Sequence, residues 1–202
     1  MIALVDYGLG NIQAFSNIYR RLNIEVRRVS QPADLRSAEK IILPGVGAFD
    51  WAMSRLNDSG IRHTLDELVL GRKVPVLGIC VGMQMLAVGS EEGKLPGLGW
   101  VPGKVRRFDE AVLMTKTLLP HMGWNAAKPK NHPLFSGIEN PEFYFLHSYF
   151  FDPESADDIL AHTDYGIRFA SAVYRDHIFG VQFHPEKSHD CGVQLLRNFA
   201  AL

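Results

Sequence analysis

Residues 74–84 read Val74-Pro75-Val76-Leu77-Gly78-Ile79-Cys80-Val81-Gly82-Met83-Gln84, and this stretch decides the fold. The run 74–79 is short, apolar and rich in β-branched residues, as a strand buried on both faces requires. Cys80 follows it directly, and residues 81–88 can continue as helix, so the cysteine is expected at a strand-to-helix turn. The glycines at 78 and 82 flank it two residues away on each side, the spacing of a nucleophile elbow with Cys in the central place. So tight a turn strains the central residue and leaves no room for a Cβ at the flanking positions. A helix N-terminus beneath the sulfur favours the thiolate. Packing is the competing role for an isolated cysteine, a residue type that is often buried.

Outward from this unit the same alternation repeats. Residues 2–6 form an apolar run that ends in the loop Tyr7-Gly8-Leu9-Gly10-Asn11, after which Ile12, Phe15, Ile18, Tyr19 and Leu22 recur at helical spacing. Further strands are expected at 25–29 and 40–43, the latter running into Pro44-Gly45-Val46-Gly47. Strands alternating with helices point to an α/β fold with a doubly wound, mostly parallel central sheet. Beyond about residue 104 the pattern shifts to short strand-like runs at 144–150, 159–162, 169–174 and 178–183. Residues 191–202 close in helical register, while 91–103 reads as a long surface loop. The pair Asp157-Asp158 reads as a solvated loop, and Cys191 as a packing residue. The stretches 31–37 and 108–117 carry no diagnostic pattern.

Composition bounds the function classes. With 202 residues, 47% of them hydrophobic and 21% charged, the chain can build one sizeable core, so a single domain over residues 1–202 is expected. A formal charge of −1 gives no general attraction to nucleic acid or to an anionic membrane, and a small-molecule substrate fits better. The first residues lack the basic flank and cleavage site of a secretory signal, and no run approaches the ~18 apolar residues of a membrane span. Two cysteines are too few for a disulfide scaffold, so both thiols are expected reduced in the cytoplasm.

A cysteine nucleophile needs a base, and that base needs an orienting carboxylate. His184 follows the run 178–183 and precedes Pro185-Glu186, so Glu186 can orient one imidazole nitrogen while the other faces Cys80. A surface histidine at a strand end is the alternative. An oxyanion pocket is expected from the backbone N–H of Val81 and one from the Gly45–Gly47 segment, which otherwise is an ordinary turn. His121, His132, His147 and His162 have no metal-ligand spacing with Asp or Glu, so no metal is assigned.

Taken together, Pro44-Gly-Val-Gly47, Gly78-Ile-Cys-Val-Gly-Met-Gln84 and His184-Pro-Glu186 resemble the class I glutamine amidotransferases, whose triad runs Cys, His, Glu along the chain. The segments 6–11, 96–99, Pro120-His-Met-Gly-Trp-Asn125, Tyr144-Phe-Leu-His-Ser-Tyr149 and 184–188 resemble, within that family, glutaminase subunits of imidazole glycerol phosphate synthase, of histidine biosynthesis. The resemblance implies catalytic Cys80, His184 and Glu186, with Gly47 and Val81 at the oxyanion. It further implies glutamine held by Gly45, Gln84, Ser148 and Tyr149. Met122, Trp124 and Tyr144 correspond to positions near the ammonia exit toward a separate (β/α)8 cyclase chain, with no cofactor required. A paralogue feeding ammonia to another acceptor, such as a surface-polysaccharide sugar, has the same catalytic motifs. A cysteine hydrolase or peptidase of related architecture has a similar elbow but no need of Gln84 or the His147-Ser148-Tyr149 segment.

Overall fold

The structure is a computed structural model that describes residues 1–111 and 118–202. Of the undiagnostic stretch 108–117, residues 112–117 lie outside the described residues. The chain opens with β1 (Ile2–Val5), α1 (Ile12–Arg21), β2 (Val26–Val29), α2 (Pro32–Leu35), β3 (Lys40–Gly45), α3 (Phe49–Asp58) and α4 (Arg62–Asp66). The elbow follows as β4 (Val76–Cys80) and α5 (Val81–Gln84). Next come β5 (Gly89–Ser90), β6 (Gly103–Arg107), β7 (His121–Ala126), β8 (Lys128–Pro129), β9 (Glu142–His147) and β10 (Tyr149–Pro153). The chain ends with β11 (Ile159–Tyr165), β12 (Ile167–Arg175), β13 (Ile178–Val181) and α6 (His189–Ala201).

The order β2-β1-β3-β4-β13 is parallel throughout, and the sheet continues antiparallel through β12, β10 and β6. Strands β1, β4 and β13 are buried along their whole length, so both faces of the parallel part are covered. That is why 2–5 and 76–79 read as continuous apolar runs rather than alternating ones. The doubly wound α/β expectation holds for this central part, and the antiparallel extension accounts for the change of pattern after residue 104.

Two helix and strand expectations differ from what is seen. The expected helix over 81–88 stops at Gln84, because the backbone beyond it pairs with the returning loop instead. The Leu86 and Ala87 amides turn to the carbonyls of Met83 and Gln84, both at 3.1 Å, and the Val88 amide goes to the Gly103 carbonyl at 3.0 Å, so none of the three continues the i−4 ladder. The run 144–150 is two strands in different sheets: among the described residues β9 pairs only with β7, as a two-stranded ribbon, whereas β10 joins the main sheet beside β6 and β12. Ser148 is the joint. A smaller correction concerns Asp158, which is buried and ion-paired to Arg175 at 3.0 Å rather than solvated.

The topology sets the site. β3, β4 and β13 are adjacent and parallel, with Gly45 opposite Cys80 and Val181 opposite Ile79. The segments leaving these strands, Gly45–Gly47, Cys80–Val81 and Gln182–His184, therefore emerge side by side at the carboxyl edge of the sheet, where open α/β sheets place their ligands.

Candidate active site

Cys80 sits at the elbow with φ 56° and ψ −113°, in the left-handed half of backbone space that non-glycine residues rarely enter. The flanking glycines explain how the chain tolerates this turn. A Cβ on Gly82 would come within 1.9 Å of the Leu43 carbonyl oxygen, one on Gly78 within 2.6 Å of the Gly82 carbonyl, and one on Gly45 within 2.5 Å of the Gly82 amide. β3, β4 and α5 thus touch backbone to backbone, with no space for a side chain between them.

His184 stands three residues after the end of β13 and is held by its backbone. Its amide donates to the Tyr144 carbonyl at 2.9 Å, and its carbonyl accepts from the Ser188 hydroxyl at 2.6 Å. The same Ser188 oxygen accepts the Tyr144 amide at 3.0 Å, so the turn 184–188 is stitched to the ribbon strand β9. His184 Nδ1 lies 2.9 Å from Glu186 Oε1, with both side chains nearly solvent-free. Glu186 Oε2 is buried without a hydrogen-bond partner among the described residues, so the imidazole is the partner that compensates this carboxylate. Nδ1–H donates to Glu186, leaving Nε2 available to the Cys80 sulfur. Burial opposes the charged form of His184, yet the Cys80 sulfur and the Glu186 carboxylate outweigh it and push its pKa up to about 10. At neutral pH the ring is an imidazolium beside the Cys80 sulfur.

These groups line a cavity of about 500 Å3 that also takes in Val46, Gly47, Val81, Gln84, Glu92, Pro120, Leu146, His147, Ser148, Tyr149 and Lys187. Of the residues singled out in the sequence, Cys80, His184, Gly47, Val81, Gln84, Ser148 and Tyr149 meet there. Gly45 and Glu186 stand behind this lining, the first against Val81 and Gly82, the second against His184. Gly47 has φ +84°, which fits it to turn a backbone N–H inward. Val81 is the first residue of α5, where a backbone amide has no intrahelical acceptor. Gln84 donates through Nε2 to the Tyr149 carbonyl at 3.0 Å and to Gln182 Oε1 at 3.1 Å, so this amide braces the site's wall.

Met122, Trp124 and Tyr144 lie on the β7–β9 ribbon, where Met122 pairs with Leu146 and Trp124 with Tyr144. Met122 is 65% and Trp124 48% exposed, so these are surface residues rather than core packing. The ribbon's apolar outer face borders the cavity through Leu146 and Pro120.

Two residues of the site were not legible in the sequence. Gln182 is buried between Gln84 and the Cys80 sulfur, with its Nε2 3.9 Å from Sγ; within a strand-like run it carried no signal. Glu92 comes from the long loop and is, among the described residues, the one carboxylate in the cavity lining, anchored where its Oε2 accepts the Phe49 amide at 2.8 Å at the start of α3. His147, which the motif Tyr144–Tyr149 contains, lines the cavity beside Ser148 and Tyr149. Tyr7, from the first glycine loop, donates its hydroxyl to the Pro44 carbonyl at 2.7 Å and so pins the segment that carries Gly45 and Gly47. Burial, then the neighbouring Cys80 charge, push the Tyr7 pKa far up, which keeps it a donor. Among the described residues, no group of three or more His, Cys, Asp or Glu stands together as a metal site. No helix among them is long and apolar enough to cross a membrane.

Residues 3–201 match the family Glutamine amidotransferase class-I. The chain is similar to the imidazole glycerol phosphate synthase subunit HisH of Bdellovibrio bacteriovorus, at 57% identity over 100% of both chains. It is also similar to the same subunit of Leptospira interrogans, at 50% identity over 100% of both. Among solved structures, a glutamine amidotransferase superposes with a TM-score of 0.76 at 18% identity, covering 100% of this chain and 99% of the other. PurLQS from Thermotoga maritima does so at 0.72 and 17% identity, covering 98% and 96%. At such low identity these two speak for the fold alone. The match across nearly all 202 residues and the full-length relatives establish that this chain belongs to the class I glutamine amidotransferase family.

Proposed function

We propose that this chain is the glutaminase subunit of an imidazole glycerol phosphate synthase, one domain over residues 1–202 that hydrolyses glutamine to glutamate and ammonia for a partner chain. The observation that carries this is the buried His184–Glu186 pair opening into the same cavity as the strained Cys80. The full-length similarity to synthase subunits supports the pathway.

In this mechanism the Cys80 thiolate attacks the side-chain carbonyl carbon of glutamine. The Val81 amide and an amide of the Gly45–Gly47 segment receive the charge that develops on the carbonyl oxygen. The His184 imidazolium gives its proton to the departing nitrogen, which leaves as ammonia, and a γ-glutamyl thioester remains. Neutral His184 then takes a proton from water as the water oxygen attacks the thioester, releasing glutamate and regenerating the thiolate and the imidazolium. Glu186 holds the ring's orientation and balances its charge throughout. Ser148 and Tyr149 form one wall for the substrate's amino-acid end, braced by Gln84. Glu92, a carboxylate lining the cavity, suits its α-ammonium group.

The partner in this proposal is a (β/α)8 cyclase chain, in a heterodimer in the cytoplasm. The exposed Met122, Trp124 and Leu146 on the ribbon beside the cavity support docking on that side, with ammonia leaving past Pro120 and Leu146. Glutamate release from L-glutamine, measured with the chain alone and then with the histidine-pathway cyclase and its ribonucleotide substrate, tests the assignment. Strong stimulation supports it. A chain that turns over glutamine without responding to that cyclase would keep the glutaminase and lose the pathway.

A further inference from the structure

A polar thread runs from the exposed ribbon to the cavity wall, and its direction follows from one end. The Tyr149 carbonyl can only accept, so His147 Nδ1, 2.8 Å away, carries a hydrogen and donates it. His147 Nε2 is then the acceptor in its 3.0 Å contact with His121 Nδ1, which must donate. That leaves His121 Nε2 to accept from Asn125 Nδ2 at 3.2 Å, an amide that also donates to the Asp164 carbonyl at 3.1 Å. The order Asn125, His121, His147, Tyr149 is thus a one-way chain of donors that ends on the carbonyl Gln84 also holds, at 3.0 Å.

The thread is built into its surroundings. Both imidazoles are buried. His121 lies stacked between Phe145 and Tyr165, with ring centroids 4.6 and 3.8 Å away. Burial pushes the pKa of His121 down to about 4; burial, followed by the proximity of His121, takes that of His147 down to about 3. Both rings are therefore neutral at physiological pH, as the donor order requires. His121 directly precedes Met122 on β7, and His147 directly precedes Ser148 and Tyr149.

We propose that His121 and His147 are positioning residues, a hydrogen-bonded pair that fixes the substrate-binding segment Ser148-Tyr149 to the strand bearing Met122 and Trp124. This rests on the glutaminase reading above. His121 does not line the cavity, so its effect on glutamine is exerted through His147 and the Tyr149 carbonyl. Loss of the pair costs glutamine binding rather than chemistry, because the His184 turn is tied to β9 at Tyr144, three residues from His147, by backbone bonds the pair does not make, and Cys80 is held by the elbow glycines. The pair also gives the docking face a mechanical connection to the glutamine wall.

The test is steady-state glutamate release from L-glutamine by the chain in complex with the cyclase. In His121→Phe the aromatic stack survives and the donor is lost; in His121→Asn an amide replaces Nδ1 as donor. Expected is a KM for glutamine raised roughly tenfold in His121→Phe with kcat within about twofold, and a KM restored to within about threefold of wild type in His121→Asn. An unchanged KM in His121→Phe, or a loss of kcat at constant KM, would overturn the positioning role. Nitrogen-15 spectra of the wild-type chain give a second measurement that needs no variant. Expected are Nδ1–H tautomers at both His121 and His147 at neutral pH, and an Nε2–H tautomer at His147 would overturn the proposal. If the wild-type complex releases no glutamate, the glutaminase reading itself falls; if it does and only the His121 results fail, the positioning proposal falls alone.

Discussion

Glu186 Oε1 and His184 Nδ1 are 2.9 Å apart across a single intervening proline, in a turn whose two ends are tied by the Ser188 hydroxyl. The carboxylate balances a ring that burial alone would keep neutral. Replacing Glu186 by Gln retains an acceptor and removes the charge. The His184 pKa should then fall from about 10 toward its ordinary value, seen by NMR titration of the ring. The kcat of glutamate release should fall by about 100-fold or more with little change in KM. A variant with wild-type kcat would remove Glu186 from the mechanism.

The same ring makes stability depend on pH. Its pKa is raised in the folded chain, from 6.5 to about 10, so the folded state binds the proton more tightly than the unfolded one. The resulting stabilisation is complete below about pH 6.5 and fades as pH climbs through about 10. In thermal melts, the difference in Tm between wild type and His184→Phe should shrink steadily over that window. A difference that grows toward alkaline pH would contradict the imidazolium assignment.

Gly82→Ala tests the elbow's packing. The new methyl would lie 1.9 Å from the Leu43 carbonyl oxygen, a backbone atom of the central sheet that cannot swing aside. Destabilisation of about 3 kcal/mol or more is expected from urea unfolding, at the upper end of over-packing costs. Gly60→Ala is a useful contrast: nothing lies within 4 Å of its Cβ, although its φ of +71° carries a conformational cost of its own.

Trp124 is 48% exposed, yet it lies flat against His189 at a centroid distance of 5.0 Å and edge-on to Tyr144. An ordered, exposed aromatic beside Met122 suits an anchor for a partner surface. Trp124→Ala is expected to weaken the Kd for the cyclase by roughly tenfold, about 1.4 kcal/mol, without changing the unfolding midpoint by more than a small amount. Calorimetric titration with the cyclase would show this, and an unchanged Kd would move the docking face elsewhere.

The sequence was most informative where local chemistry and fold demand the same residues. Gly78 and Gly82 announce the elbow around Cys80 because a Cβ at either would strike neighbouring backbone, and His184-Pro185-Glu186 announces the base because its partner lies two positions away. Period and burial made β1 and β4 readable for the same reason: strands covered on both faces leave apolar runs. Contacts between distant segments left no such trace. Gln182 approaches Cys80 across 102 positions, and His121 meets His147 across 26, through strand pairing that no local pattern encodes. The helix expected over 81–88 ended early because the Val88 amide is drawn to the carbonyl of Gly103, fifteen residues further on, and those of Leu86 and Ala87 tighten to i−3 bonds. The break at Ser148 escaped notice because both strands it joins are equally apolar.

The central claim is most directly tested by glutamate release from L-glutamine by this chain in complex with the histidine-pathway cyclase and its ribonucleotide substrate, wild type against Cys80→Ala. Expected is release strongly stimulated by the complex and lost in Cys80→Ala, by a factor on the order of 10^4 or more. Release that persists in Cys80→Ala, or a wild-type complex that leaves glutamine intact, would contradict the assignment of Cys80 as the nucleophile of a glutaminase.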